Sequence, residues 1–355
     1  MQERGAALLT VLLLVAILAV VAAVALDRLV LASRMTRSVV SSDQGRAYLI
    51  AAEQIAATRI EDLNAADADR TTLQGNWLGV PQTMTVPGGA VTAKVRDAGN
   101  CFNLNSLVER SSLALGGQAG ASDTGSAPSP DSAGGATAVA PAGPQSLVAR
   151  RLAINQFAGL MRLLGIDATT ADQVAVSAAD WIDTDTVPGP GGAEDDYYLG
   201  FKPPYRAANG LMADPSELRM INAVTPEIYE RVRPWICTLP GTVLSPINVN
   251  TLLPGQAVLL AMLAPDKLGV DTARQVLARR PLDGYGSLTE FWAQGPLAAL
   301  QLPEQVTRQV QQKSRWFEVA FSVDLGGDKM EDTVLYDAST KPARMVRRQW
   351  SGNSD

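Results

Sequence analysis

Residues 4–26 read RGAALLTVLLLVAILAVVAAVAL, and this stretch decides the fold. From Ala6 to Leu26 there is no charge, glycine or proline over about 21 residues, close to the roughly 20 that a helix needs to cross a bilayer. Because lipid offers the backbone no hydrogen bonds, a spanning segment of this kind is helical. The sequence therefore predicts a single transmembrane helix over residues 6–26.

A cleavable secretory signal is the alternative for the same residues, with Ala23-Val24-Ala25 as its cleavage site. Such signals have a longer basic region and an apolar core of only roughly 7 to 15 residues. The length of the apolar segment favours a retained membrane helix.

A second helical pattern follows the apolar span and predicts a stalk over residues 27–70. Between Asp27 and Asp69 there is no proline, and Gly45 is the one glycine. Spacings of three and four residues, typical of one helix face, relate Leu49, Ala52, Ala56, Ile60 and Leu63. A helix from Ala6 to Leu63 would be roughly 85 Å long, and its outer half would need a globular head to pack against.

A short leader ending in Gly5, an apolar span and a continuing amphipathic helix resemble the type IV pilins and pseudopilins. The resemblance implies that residues 1–5 are a leader, that a prepilin peptidase cuts between Gly5 and Ala6, and that the new amino terminus is methylated. Most members have a glutamate as the fifth residue after the cut, whereas this chain has Thr10. The absence of this glutamate, together with a large head, is typical of the minor pseudopilin K family of type II secretion systems.

Composition restricts the chemistry of the head. The chain has 30 Lys and Arg, 36 Asp and Glu and no histidine, so histidine-based catalysis and histidine metal sites are excluded. The net charge of -6 disfavours a phosphate-rich partner. We find neither a Gly-x-Ser-x-Gly elbow nor a phosphate loop, and we predict that the protein is not an enzyme. A calcium-dependent hydrolase using paired aspartates is a third hypothesis.

Alternating apolar and polar residues predict an antiparallel sheet in two parts, residues 71–101 and 313–355. The first part contains a hairpin around Pro87-Gly88-Gly89, and the second contains three strands near 317–325, 330–336 and 343–350. The stalk is the layer available to cover them. The predicted class is α+β: a long N-terminal transmembrane helix packed on an antiparallel sheet, the pseudopilin fold, with a large inserted α-helical domain.

The insertion has three predicted parts. Residues 102–144 form a linker rich in Ala, Gly, Ser, Pro and Thr, residues 145–240 a helical domain with an acidic loop, and residues 241–312 a helix-hairpin-helix-like segment. Helices are predicted over 147–164, 174–181 and 226–235. Cys101 and Cys237 lie at the entry and exit of the helical domain, which favours a disulfide over two separate buried thiols.

The acidic loop contains the strongest chemical signal outside the leader. Its two runs, Asp180 to Asp185 and Gly191 to Tyr198, resemble the corresponding segment of the K family, as do Pro203 to Asn209 and Ser216 to Arg219. Oxygen-rich loops suit calcium, and the resemblance implies calcium binding here, although the spacing is not that of an EF-hand. A solvated acidic loop is the alternative. The candidate ligands are Asp183, Asp185, Glu194, Asp195 and Asp196.

Residues 241–312 also permit a second function, a membrane-anchored nucleic-acid-binding protein of a DNA-uptake machinery. Its hairpin, Ala264 to Val270, has one glycine and two acids nearby, unlike hairpins whose amides hold phosphate. Asn248 and Thr251 are predicted to be helix caps in a packing unit. We therefore predict no nucleic-acid partner.

The resemblance implies a role as a minor pseudopilin at the tip of the type II secretion pseudopilus, where it initiates or caps assembly for protein secretion across the outer membrane. The implied partners are minor pseudopilins I, J and H and the prepilin peptidase. The implied location is the bacterial inner membrane, crossed once, with the C-terminal head in the periplasm. Thr10 is then a tip determinant, because nothing needs to dock above a subunit that lacks the glutamate.

Overall fold

A computed structural model describes residues 3–111 and 146–351 of the chain. From residue 112 onward, the predicted linker lies outside the described residues. Its first ten residues, 102–111, are not a linker, because they form two short strands and a 3-10 helix and are mostly buried. The chain divides into two compact units. Unit 1 comprises Met1–Ala68, Gly75–Asp97 and Arg315–Asp355, and unit 2 comprises Asp69–Gln74 and Ala98–Ser314.

The helices and strands are numbered in chain order. The helices are α1 Glu3–Ala65, α2 Arg151–Leu163, α3 Ala168–Ile182, α4 Asp195–Tyr198, α5 Pro226–Val232, α6 Ala257–Ala261, α7 Val270–Ala278, α8 Leu288–Trp292, α9 Gly295–Ala298 and α10 Glu304–Thr307. The strands are β1 Gln82–Val86, β2 Gly89–Asp97, β3 Phe102–Asn103, β4 Val108–Ser111, β5 Ser146–Ala149, β6 Ile236–Cys237, β7 Ile247–Asn248, β8 Val310–Gln311, β9 Trp316–Leu325, β10 Asp328–Asp337 and β11 Arg344–Ser351. Short 3-10 helices cover Leu104–Leu107, Pro215–Met220, Arg233–Trp235 and Pro254–Gln256.

The N-terminal helix α1 is continuous over 63 residues, or about 95 Å at 1.5 Å per residue. Within it, Val11–Ser33 has a mean hydropathy of 2.5 and is long and apolar enough to cross a membrane. The helix continues without interruption into the stalk, so the predicted long helix is confirmed.

The sheet of unit 1 is antiparallel, with the order β1-β2-β9-β10-β11. The hairpin at Pro87-Gly88 joins β1 to β2, and β2 then pairs with β9 far along the chain. One face of the sheet is covered by α1, which contributes the predicted stripe of Leu49, Ala52, Ala56 and Ile60 to the core. Alternate residues of β9 meet this stripe, namely Phe317, Val319, Phe321 and Val323. The predicted helix-backed sheet is confirmed.

A buried polar contact also fastens α1 to the sheet. The Arg348 guanidinium on β11 bridges Glu53 on α1 and Asp332 on β10. The Tyr336 hydroxyl donates a hydrogen bond of 3.0 Å to the Glu53 carbonyl oxygen. These contacts set the rotation of the helix above the strands, because Glu53 is almost fully buried.

Unit 2 is mainly helical, but its first helix starts later than the sequence predicts. The periodicity predicts a helix over 147–164, but its first three residues belong to β5, Ser146–Ala149, which pairs antiparallel with β4. The helix α2 begins only at Arg151. A short apolar run such as Leu147-Val148-Ala149 fits a strand as well as a helix, and the neighbouring strand decides between them.

The two predicted segments 145–240 and 241–312 share one hydrophobic core in unit 2. Phe157 of α2 and Leu259 and Leu260 of α6 are fully buried in the same cluster. Helices as short as α6 and α7 cannot bury an apolar face alone, so α6 packs on the longer α2 and α7 packs on α6.

Asn248 and Thr251 are not the helix caps that the sequence predicted. Asn248 ends β7, and its side-chain nitrogen donates to the Thr71 carbonyl at 3.1 Å and the Ser314 hydroxyl at 2.8 Å. The Thr251 hydroxyl accepts a hydrogen bond of 2.9 Å from Asn100. Both side chains therefore join segments that are distant in sequence. Neither of them can cap α6, because this helix starts only at Ala257, after Pro254.

Candidate metal centre

The acidic loop connects the end of α3 to the start of α4. Asp183 is the first residue after α3, and its amide still donates a hydrogen bond of 2.9 Å to the Ala179 carbonyl. Glu194 is the residue before α4. Two helix ends therefore place these carboxylates, which gives them less freedom than residues in an open loop.

Three of the predicted ligands converge. Asp183, Asp185 and Glu194 each offer one carboxylate oxygen, and these oxygens all lie within 4.8 Å of one another. Asp183 and Glu194 are only 3% and 5% exposed, whereas Asp185 is exposed. The group has two buried carboxylates and one that is open to solvent, which leaves a path by which an ion could enter.

The structure does not bring Asp195 and Asp196 into this group. The Asp195 carboxylate accepts a hydrogen bond of 2.8 Å from Arg206 and another of 3.0 Å from the Ala207 amide. Asp196 is exposed on the first turn of α4. Successive helical residues point in different directions, so three adjacent acids do not face one point.

A further carboxylate, Asp180, shapes the loop and was not among the predicted residues. Its two oxygens accept hydrogen bonds from the Gly189 amide at 3.2 and 3.1 Å, and one oxygen accepts from the Ala193 amide at 2.9 Å. A Cβ atom added to Gly189 would lie 2.6 Å from Val176, and one added to Gly192 would collide with the Asp180 carboxylate. In the sequence, Gly189 and Gly192 on either side of Pro190 were the sign that the Asp180 side chain approaches the backbone closely here.

The electrostatics of the group favour a bound cation. Burial, together with the nearby charges of Asp185, Asp180 and Glu194, raises the pKa of Asp183 to about 7. Burial also raises the pKa of Glu194 to about 7, with Asp180 and Asp185 adding repulsion. A cation would replace this repulsion by attraction and would favour the ionised carboxylates.

Unpaired oxygens provide an independent indication. One oxygen of Asp183 and both oxygens of Glu194 are buried without a hydrogen-bond partner. Buried carboxylates in this condition are costly unless a partner or ion satisfies them. Because hard oxygen ligands suit calcium, the residues present fit that ion.

Aromatic rings support the loop from behind. Trp181 packs against Tyr198 with ring centroids 5.3 Å apart, and Tyr198 stacks on Tyr205 at 5.2 Å. The Trp181 ring nitrogen is 3.5 Å from a Glu217 carboxylate oxygen. The segments that carry the resemblance, distant in sequence, therefore meet around the acidic group.

The remaining predicted residues lie elsewhere. Gly5, Ala6 and Thr10 belong to the backbone of α1. Cys101 and Cys237 form a disulfide within unit 2, with their Cα atoms 5.9 Å apart. It lies next to the parallel pairing of β3 with β6.

Comparison with known proteins supports one family throughout. Two family models described as type II secretion system protein K match residues 100–241 and 247–311. Type II secretion system protein K of Pectobacterium carotovorum is 30% identical over 99% of this chain and 97% of its own length. The protein of the same name from Aeromonas hydrophila is 30% identical over 98% of this chain and 97% of its own length.

A solved structure shares the fold. The crystal structure of the GspK-GspI-GspJ complex from the type 2 secretion system of enterotoxigenic Escherichia coli contains a chain that matches with a TM-score of 0.70. The two are 26% identical, and the match covers 90% of this chain and 99% of the other.

A long apolar helix that continues onto an antiparallel sheet, with a helical insertion, defines a minor pseudopilin, a class of structural secretion proteins anchored in the membrane by one segment. The matches over nearly the full length are more specific. The chain belongs to the type II secretion system protein K family. These matches do not support the nucleic-acid alternative.

Proposed function

We propose that the protein is a minor pseudopilin at the tip of a type II secretion pseudopilus, where it initiates or caps assembly for protein secretion across the outer membrane. The observation that carries this proposal is the similarity to protein K relatives over 97% or more of both chains. The chain that matches in fold comes from a GspK-GspI-GspJ complex, so we propose minor pseudopilins I and J, and also H, as partners.

The membrane helix holds the protein in the inner membrane with its head in the periplasm, and a prepilin peptidase processes it. Mature protein purified from membranes is expected to start at a methylated Ala6, without residues 1–5. Intact-mass and amino-terminal peptide analysis measure this directly. A Gly5→Leu variant should keep its leader, because the peptidase no longer finds glycine at the cut. A mature start near Leu26 would instead indicate an ordinary secretory signal and would contradict the proposal.

Thr10 limits the position of the subunit to the tip. Replacing Thr10 by glutamate is expected to lower the fraction of chain recovered with I and J, and secretion with it, by at least ten-fold. An unmatched charge inside the membrane costs about 3 kcal/mol or more, whereas an uncharged side chain does not. Quantitative co-purification from membranes and assay of secreted protein are the measurements.

The matched control for this substitution is Thr10→Gln, which has nearly the same size as glutamate without the charge. It should assemble close to wild type. Unchanged recovery and secretion for Thr10→Glu would show that position 10 does not determine the tip position.

The acidic group holds calcium in this proposal. Asp183, Asp185 and Glu194 are the ligands that the chain supplies, and Asp180 positions the loop through its contacts with backbone amides. Bound calcium satisfies the unpaired carboxylate oxygens and holds the end of α3 to the start of α4. The ion thereby keeps the helical insertion in one shape for tip assembly.

A further inference from the structure

The buried contact between α1 and the sheet of unit 1 contains more acidic than basic groups. Glu53 and Asp332 are each only 1% exposed, and both carboxylates lie against the single guanidinium of Arg348. That guanidinium also packs over the Trp350 ring, 5.0 Å from its centroid. If both acids are ionised, the cluster holds two negative charges and one positive charge out of water, so one negative charge is uncompensated.

Hydrogen bonding does not satisfy the surplus carboxylate. In the part of the chain that the structure describes, no group donates a hydrogen bond to either oxygen of Asp332 or to Oε1 of Glu53. Nε of Arg348 lies 3.4 Å from one Asp332 oxygen without forming a hydrogen bond to it. Buried carboxylates in this condition are costly. A proton held between two neighbouring acids removes the surplus charge and supplies a hydrogen-bond donor.

The elements packed around the cluster leave this proton to the two acids. The titratable groups that face one another are Glu53 from α1, Asp332 and Tyr336 from β10, and Arg348 from β11. The strand β9 places the apolar Phe321 opposite Asp332. Burial raises the pKa of Tyr336, so its hydroxyl keeps its proton and donates it to the Glu53 carbonyl oxygen at 3.0 Å. An arginine side chain stays charged at any pH that the fold experiences.

We propose that Glu53 and Asp332 share one proton in the folded state, and that its release as pH rises loosens the contact between the stalk helix and the sheet. With the proton in place, the two acids and Arg348 have no net charge. Without it, a surplus charge stays buried between helix and sheet, and opening of this contact lets water reach it. The joint is a pH-sensitive device within unit 1 and needs neither calcium nor a partner protein.

The direction of the pH dependence follows from the folded and unfolded states. Burial, together with the neighbouring Glu53 carboxyl group, raises the pKa of Asp332 from 3.8 to about 6, against the opposing charge of Arg348. The folded state therefore holds a proton that the unfolded state has already released. The resulting stabilisation is fully present below about pH 4 and is lost as pH rises through 6.

The test measures amide hydrogen exchange of the full-length chain in lipid nanodiscs by mass spectrometry, with rates corrected for the intrinsic effect of pH. Protection over residues 49–60 of α1 and in β10 and β11 should fall by roughly ten-fold or more between pH 4.5 and 7. Asp332→Asn and Glu53→Gln should each abolish this fall, because either amide leaves one carboxylate for Arg348. Each amide has nearly the size of the protonated acid that it replaces, and circular dichroism checks the fold.

Glu331→Gln is the matched control, because Glu331 is an exposed acid next to Asp332 on β10. It should keep the wild-type fall in protection. Partial losses in the two single variants that add up in the double variant would mean two separate titrations and would overturn the shared proton. A flat wild-type profile between pH 4.5 and 7 overturns it without any variant. If one variant does not fold, the other decides, since a shared proton disappears with either acid.

Discussion

Replacing Asp183 by asparagine is expected to abolish the stabilisation of the protein by calcium. At a free calcium concentration of 100 times Kd, one site adds about 2.7 kcal/mol to the free energy of unfolding. For a unit of this size that corresponds to a rise in Tm of about 5 to 10 °C. Asp183 supplies a buried, otherwise unpaired oxygen, so its loss removes a ligand that solvent cannot easily replace. Thermal unfolding with calcium and with chelator measures the difference.

Asp196→Asn is the control, since Asp196 is an exposed acid of the same loop outside the converging group. It should retain the full calcium response, and Glu194→Gln should lose it. Equal responses of all three variants and wild type would mean that the ion, if bound, lies elsewhere.

In the presence of a chelator, the stability of the metal-free protein is expected to depend on pH through the same site. The pKa values of Asp183 and Glu194 are raised to about 7 from 3.8 and 4.5, so the folded state holds protons that the unfolded state has released. The contribution of these two groups to the free energy of unfolding is fully present below about pH 4 and is lost as pH rises through 7. The calcium effect has the opposite sign, because binding requires ionised ligands. Between pH 5 and 7.5 the metal-free protein should therefore lose stability while the calcium-induced rise in Tm increases.

The variant Asp183→Asn combined with Glu194→Gln isolates this pH dependence, because other carboxylates in the chain also titrate. It should show a flatter change of Tm with pH in chelator than wild type. An identical slope would assign the pH dependence to other groups.

Removal of the disulfide is expected to produce the other large effect. Cys101 and Cys237 enclose 136 residues of sequence. On the chain-entropy model, closing a loop of this length stabilises the folded state by about 4 to 5 kcal/mol. The double variant Cys101→Ser, Cys237→Ser should accordingly have a Tm for unit 2 that is about 10 to 20 °C lower than that of wild type. Differential scanning calorimetry measures each transition.

A reductant provides the internal control for this prediction. It should lower the Tm of wild type toward that of the double variant and leave the double variant unchanged. The pairing of β3 with β6 brings the same segments together without the covalent bond, so a difference below about 2 °C would mean that this pairing suffices.

Local patterns were enough to predict the framework of unit 1. The apolar run specifies a helix because lipid leaves the backbone no other partner, and the stripe from Leu49 to Ile60 specifies which face of the stalk is buried. Alternation in β9 specifies its buried face for the same kind of reason. Each of these signals depends on neighbours a few residues away, so it can be read along the chain.

Local patterns could not predict which acidic side chains come together in space. Five acids of the loop were equivalent in the sequence, and only the ends of α3 and α4 separate Asp183, Asp185 and Glu194 from Asp195 and Asp196. The role of Asp180 depends on amides 9 and 13 residues away.

The strand at 146–149 and the true partners of Asn248 depend on segments still more distant. Periodicity alone therefore established an anchored helix with a helix-backed sheet. The convergence of Asp183, Asp185 and Glu194 and the shared core of unit 2 came from tertiary contacts, because they depend on which distant residues end up as neighbours.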